Sequence, residues 1–139
     1  MSDVTVTSLT NLRNEVRYGG HTLITDEPLD VGGEDAGPDP YTLLLAALGS
    51  CISMTTMLYA RRKAWRVERV SVRLRQQRIH SKDCQECEQT GGFVHRIERS
   101  VNIEGNLTDD QRVRLQEIAH KCPVHKTLTS QILITEMKT

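Results

Sequence analysis

The chain has 139 residues, with 18 Lys+Arg against 18 Asp+Glu and only 4% aromatic residues. This length fits one domain over residues 1–139 with a real core. A formal charge of zero gives no electrostatic ground for a nucleic-acid or anionic-membrane partner, and so few aromatics make no stacking platform for single strands. No basic-then-apolar segment opens the chain, so the expected location is cytoplasmic. There, the four cysteines read as thiols, ligands or redox groups rather than as a disulfide framework.

Val4 and Val6 alternate with Thr5 and Thr7, the period-two pattern of a half-buried strand. Gly19-Gly20 separates Glu15–Tyr18 from His21–Ile24 and predicts a hairpin, because glycine accepts the positive φ of a tight turn. Asp26 to Pro40 is rich in glycine, proline and acids and reads as an ordered loop. Asp39-Pro40 then opens a helix: Asp accepts free N–H groups of the first turn, and Pro suits the first helical position. Apolar residues from Tyr41 to Tyr59 repeat at helical spacing, and the other faces are nearly as apolar, which predicts a helix surrounded by protein. The stretch is about long enough to span a bilayer, but Thr42, Gly49, Ser50, Ser53, Thr55 and Thr56 favour a soluble core helix. Arg61-Arg62-Lys63 closes it with cations that suit the helix C-terminus.

Val70, Val72 and Leu74 alternate with basic residues and predict a strand with one buried face; Phe93 to Glu104 alternates likewise through His95, Ile97, Val101 and Ile103. The polar segment from His80 to Gly92 reads as a loop or wide hairpin. Thr108 and Gln111 form a capping-box pattern, and Leu115, Ile118, Ala119 and Cys122 line one face of the helix that follows. Pro123 restarts the chain as a short helix, and Gln131 to Met137 is expected to close as a last strand. The sum is an α+β fold with antiparallel strands around a buried helix.

Four cysteines carry the chemical possibilities. Cys51 sits about three turns into its helix, beyond much help from the helix dipole. Cys122 precedes Pro123, where it can cap the short helix and feel its positive end. Each is either a sheltered nucleophile or a small buried hydrophobe. Cys84-Gln85-Glu86-Cys87, with His80 and His95 nearby, is a zinc pair, a redox pair or two free surface thiols. His125 and Lys126 either lower the Cys122 pKa or form a solvated helix face, and Arg17, Tyr18 and His21 flank the hairpin turn. The sequence holds no phosphate-binding loop, dinucleotide fingerprint, His-Glu-x-x-His motif or nucleophile elbow.

The run Gly37-Pro38-Asp39-Pro40-Tyr41-Thr42-Leu43-Leu44-Leu45-Ala46-Ala47-Leu48-Gly49-Ser50-Cys51 resembles the first cysteine motif of the OsmC/Ohr family, and Cys122-Pro123-Val124-His125-Lys126 resembles its second. Asp26-Glu27-Pro28 is similar to the loop of its OsmC-like members. The resemblance covers nearly the whole chain. It implies an intertwined homodimer with interfacial sites that use both cysteines and no cofactor or metal. Its implied partners are a small-molecule organic hydroperoxide and a dithiol reductant. Cys51 would then be the peroxidatic residue and Cys122 the resolving one, with Arg17, Tyr41 and His125 on the substrate. Tyr41 occupies the position where the peroxidases carry a Glu that pairs with an Arg. Three functions stand: a thiol peroxidase, a thiol module acting on another electrophile or disulfide, and a non-enzymatic protein binding metal at Cys84/Cys87.

Overall fold

The computed structural model describes residues 3–80 and 92–138; Cys84 and Cys87 lie outside them. The chain forms two compact units, residues 1–46 and 47–139.

The N-terminal unit is an antiparallel sheet of β1 (Thr5–Ser8), β2 (Asn14–Tyr18) and β3 (His21–Thr25) in the order β1-β2-β3. Tyr18 pairs with His21 across a two-residue turn. Gly19 supplies the positive φ there (+55°), at the first central position of the turn. The loop after β3 is built around Asp26, whose side chain is almost fully buried. Its Oδ1 accepts from the Glu27 N–H (2.8 Å), and its Oδ2 accepts from the N–H groups of Glu34 (3.2 Å) and Ala36 (3.1 Å). The backbone closes on itself so tightly that a Cβ on Gly33 would lie 1.9 Å from the Glu27 carbonyl oxygen, and one on Gly37 would lie 2.2 Å from that of Ile24.

α1 runs from Pro40 to Arg62. Asp39 Oδ1 accepts from the Thr42 N–H at 2.7 Å, the cap expected from Asp-Pro. Its far end is a left-handed stop. Ala64 has φ +57°, the Trp65 N–H donates to the Ala60 carbonyl (2.9 Å) and the Ala64 N–H to that of Arg61 (3.1 Å).

In the C-terminal unit, β4 (Val67–His80) and β5 (Phe93–Gly105) form a long antiparallel pair. Leu48, Ile52, Thr56 and Ala60 of α1 recur every four residues as a buried stripe. Gly49 lets the helix approach β4, since a Cβ there would lie 2.8 Å from Leu74 Cδ1. The buried Thr56 hydroxyl is satisfied by donating to the Ile52 carbonyl at 2.8 Å.

α2 (Asp109–Ala119) starts at the expected capping box: Thr108 Oγ1 accepts from the Gln111 N–H at 3.1 Å, and Gln111 Oε1 accepts from the Thr108 N–H at 2.9 Å. Its polar side chains satisfy carbonyls of β5: Arg112 donates to Ile103 and Gly105, and Gln116 to Val101. Those carbonyls would otherwise form a bare strand edge.

Three sequence expectations meet a different structure. α2 ends at Ala119, so Cys122 is not on its apolar face; it is the N-cap of α3 (Pro123–Leu128), and fully buried there. A helix cannot continue through Cys122 because the next residue is proline, which biases its predecessor to extended backbone. Gln131 to Met137 forms no strand within the chain, and Leu133, Ile134 and Met137 are exposed. α1 is covered on one stripe only, with Met54 and Leu58 exposed. One two-stranded pair and two short helices do not supply enough apolar surface to enclose it.

Candidate active site

Two buried clusters fill the C-terminal unit. One contains Ala60, Ile103 and Leu115. The other contains Leu48, Ile52, Ala119 and Cys122, with Cys51, Val124 and Leu128 packed against it. The second cluster brings together two cysteines that lie far apart in sequence.

Cys51 is half-buried and Cys122 fully buried, and both are free thiols. Cys51 Sγ accepts from the Val124 N–H at 3.5 Å and lies 4.0 Å from the Thr55 hydroxyl. Cys122 Sγ accepts from the His125 N–H at 3.5 Å. The Val124 and His125 N–H groups belong to the first turn of α3, whose donors have no partner within the helix. Pro123 starts that helix and so aims the turn at both sulfurs.

The two thiols belong to one packed cluster and influence each other's acidity. Burial pushes the Cys51 thiol up, but hydrogen bonds from the Cys122 thiol, the Val124 N–H and the Thr55 hydroxyl outweigh it and hold Cys51 below its ordinary value. Burial raises Cys122, and its bond to Cys51 raises it further. The first thiolate to form is therefore that of Cys51, and the thiolate is the nucleophile.

A cleft of about 210 Å³ adjoins this cluster. Leu48, Ile97 and Leu128 form its apolar side, and these three also pack against the cysteine cluster. His95, Arg99 and His125 form its polar side. Arg99 Nη1 donates to the Ala119 carbonyl at 3.0 Å, and Nη2 contacts His120 Nδ1. Burial lowers the His125 pKa, and the charges of Arg99 and His120 lower it further, so the ring is neutral near pH 7.

Among the residues proposed from sequence, Cys51, Cys122 and His125 meet at this site. Arg17 lies on β2, where its Nε donates to Glu15 Oε1 at 2.6 Å. Tyr41 is in the first turn of α1 and exposed. Both belong to the N-terminal unit. Sequence reasoning missed Arg99, Thr55 and the Val124 N–H. The signals were present: Thr55 is one helical turn from Cys51, and Arg99 interrupts the inward row His95-Ile97-Val101-Ile103.

A family model described as OsmC-like protein matches residues 32–137. The chain belongs to the OsmC family. Similar folds occur in an OsmC-like protein of Mycoplasma pneumoniae (TM-score 0.71, 18% identity, 92% of this chain and 86% of that one). They also occur in organic hydroperoxide resistance proteins of Elizabethkingia anophelis (0.66, 21%, 93% and 88%) and Bacillus subtilis (0.61, 18%, 93% and 90%). At these identities the likeness establishes the shared OsmC fold. No protein of curated function matches the chain in sequence.

Proposed function

We propose that this OsmC-family protein is a thiol-dependent reductase of organic hydroperoxides. The observation that carries the reading is the Cys51–Cys122 pair: two free thiols packed in one cluster, each accepting from an N–H group of the first turn of α3. The Cys51 thiolate attacks the terminal peroxide oxygen, the O–O bond breaks, and the alkoxide takes a proton to leave as an alcohol. Cys51 is then a sulfenic acid. The Cys122 sulfur displaces its hydroxyl as water and forms a Cys51–Cys122 disulfide, with Cys122 supplying the proton. A small dithiol, oxidised in turn to its disulfide, restores both thiols. His125, Arg17 and Tyr41 are proposed to bind substrate. Membership of a family that includes proteins named for organic hydroperoxide resistance supports the substrate class.

The proposal includes a cytoplasmic homodimer acting as one domain per chain. Met54 and Leu58 on the open face of α1, and Ile134 and Met137 near the C-terminus, are apolar and exposed; a second copy would cover them. Light scattering that gave a 15.7 kDa particle at micromolar concentration would overturn the dimer.

Tyr41, which brings no carboxylate, favours a second reading in which the same thiols act on another electrophile or a disulfide. Stopped-flow oxidation by a panel of peroxides and small disulfides, read by intact mass, separates the two. Fast oxidation by organic hydroperoxides that is abolished in Cys51→Ser supports the first; fast reaction with disulfides alone supports the second.

A further inference from the structure

We propose that the cleft beside the thiols binds a compact carboxylate, with Arg99 as its anchor. The inference deepens the thiol-site reading and rests on it for the purpose of the cleft, although binding itself needs no thiol chemistry.

Four arginines elsewhere among the described residues pair with carboxylates: Arg13 with Glu34, Arg17 with Glu15, Arg75 with Glu98 and Arg114 with Glu117. Among the described residues, no carboxylate pairs with Arg99. Its guanidinium is instead held by the Ala119 carbonyl and His120 Nδ1, neither of which carries a negative charge. These fix the fork without cancelling its charge, and a guanidinium has five donors. Arg99 is therefore a half-buried, oriented cation on the wall of a cleft.

The rest of the wall defines the ligand. Leu48, Ile97 and Leu128 offer an apolar surface, so the ligand needs an apolar body as well as an anionic head. A planar carboxylate matches the guanidinium fork in two parallel bonds. His95 and His125 lie on the same side of the cleft, and its described lining includes no Asp or Glu. A volume of about 210 Å³ corresponds to about seven water-sized portions, enough for a short-chain or single-ring acid and too small for a long acyl chain. Because the apolar wall is shared with the cysteine cluster, a bound acid would sit next to the thiols, as the head of a carboxylated substrate or dithiol would.

The test is titration of the reduced full-length protein with benzoate and with benzamide, its neutral counterpart, followed through the methyl resonances of Leu48 and Leu128. Benzoate is expected to bind at least about tenfold more tightly than benzamide, as a charge-assisted hydrogen-bond pair would give. It should shift both methyl signals and weaken with salt. Arg99→Gln should remove the preference and Arg99→Lys retain part of it. Cys51→Ser should bind benzoate as well as wild type does; since that variant cannot turn over, the binding result stands apart from the thiol mechanism. Equal binding of the two probes by the wild-type protein, no binding of benzoate, or shifts that bypass Leu48 and Leu128 would each overturn the proposal, even if Arg99→Gln fails to fold.

Discussion

Truncating Ile52 to alanine should remove much of the protein's stability and, with it, the thiol geometry. Ile52 is fully buried and packs with Leu48, Ala119 and Cys122, one residue beyond Cys51. The change deletes three carbons. At about 0.8 kcal/mol per buried methylene the transfer loss is about 2.4 kcal/mol, with no discount for exposure. The cavity left beside Cys122 adds about 1 kcal/mol, for a total of about 3–4 kcal/mol, within the range for such truncations. That is a large fraction of an ordinary domain's stability. Ile52→Val should lose about 1 kcal/mol by the same reasoning. Urea unfolding of the reduced protein at one fixed concentration measures both, and the denaturant dependence should stay unchanged. A loss below about 1 kcal/mol for Ile52→Ala would refute the packing described around the cysteines. Leu58→Ala provides the contrast. Leu58 is 53% exposed in the single chain, so its cost should be small in a monomer and should depend on protein concentration if a second copy covers that face.

Ala64→Gly should stabilise the protein by about 0.5–1 kcal/mol, measured by thermal unfolding, because Ala64 is held at φ +57° where glycine carries no steric penalty. Gly37→Ala should sharply lower the melting temperature and disturb the Asp26 loop, since its Cβ would overlap the Ile24 carbonyl; a wild-type melting curve would contradict the close approach. Burial raises the Asp26 pKa, but the N–H bonds of Ala36, Glu27 and Glu34 hold it below 3.8 on balance. Its stabilising contribution is therefore present above the unfolded value and fades as pH falls through the folded one. Asp26→Asn should flatten that part of the acid-unfolding profile.

Local chemistry was legible in the sequence wherever one residue type settles one geometry. Asp39-Pro40, Thr108 with Gln111, and Gly19 fixed two helix starts and a turn because capping and positive φ act within a few residues. The cysteine pair was legible through the resemblance carried by its two motifs, since no periodicity shows that α1 and α3 converge. Cys122 was misplaced by helical spacing because it falls three and four residues after Ala119 and Ile118, although the helix ends at Ala119. Gln131 to Met137 holds the apolar run Ile132-Leu133-Ile134 and reads as a strand, but composition cannot supply a partner strand, and none pairs with it within the described chain. Arg99 went unread because a cation in an apolar row has meaning only once the cleft beside it is seen.

Cys51 and Cys122 are proposed to form one redox unit with Cys51 as nucleophile. Peptide mapping after one equivalent of an organic hydroperoxide tests it most directly. The expected result is a single Cys51–Cys122 disulfide in the wild type, no oxidation of Cys122 in Cys51→Ser, and a sulfenic or sulfinic acid at Cys51 in Cys122→Ser. Free thiols at both positions, with Cys84 and Cys87 paired instead, would contradict it.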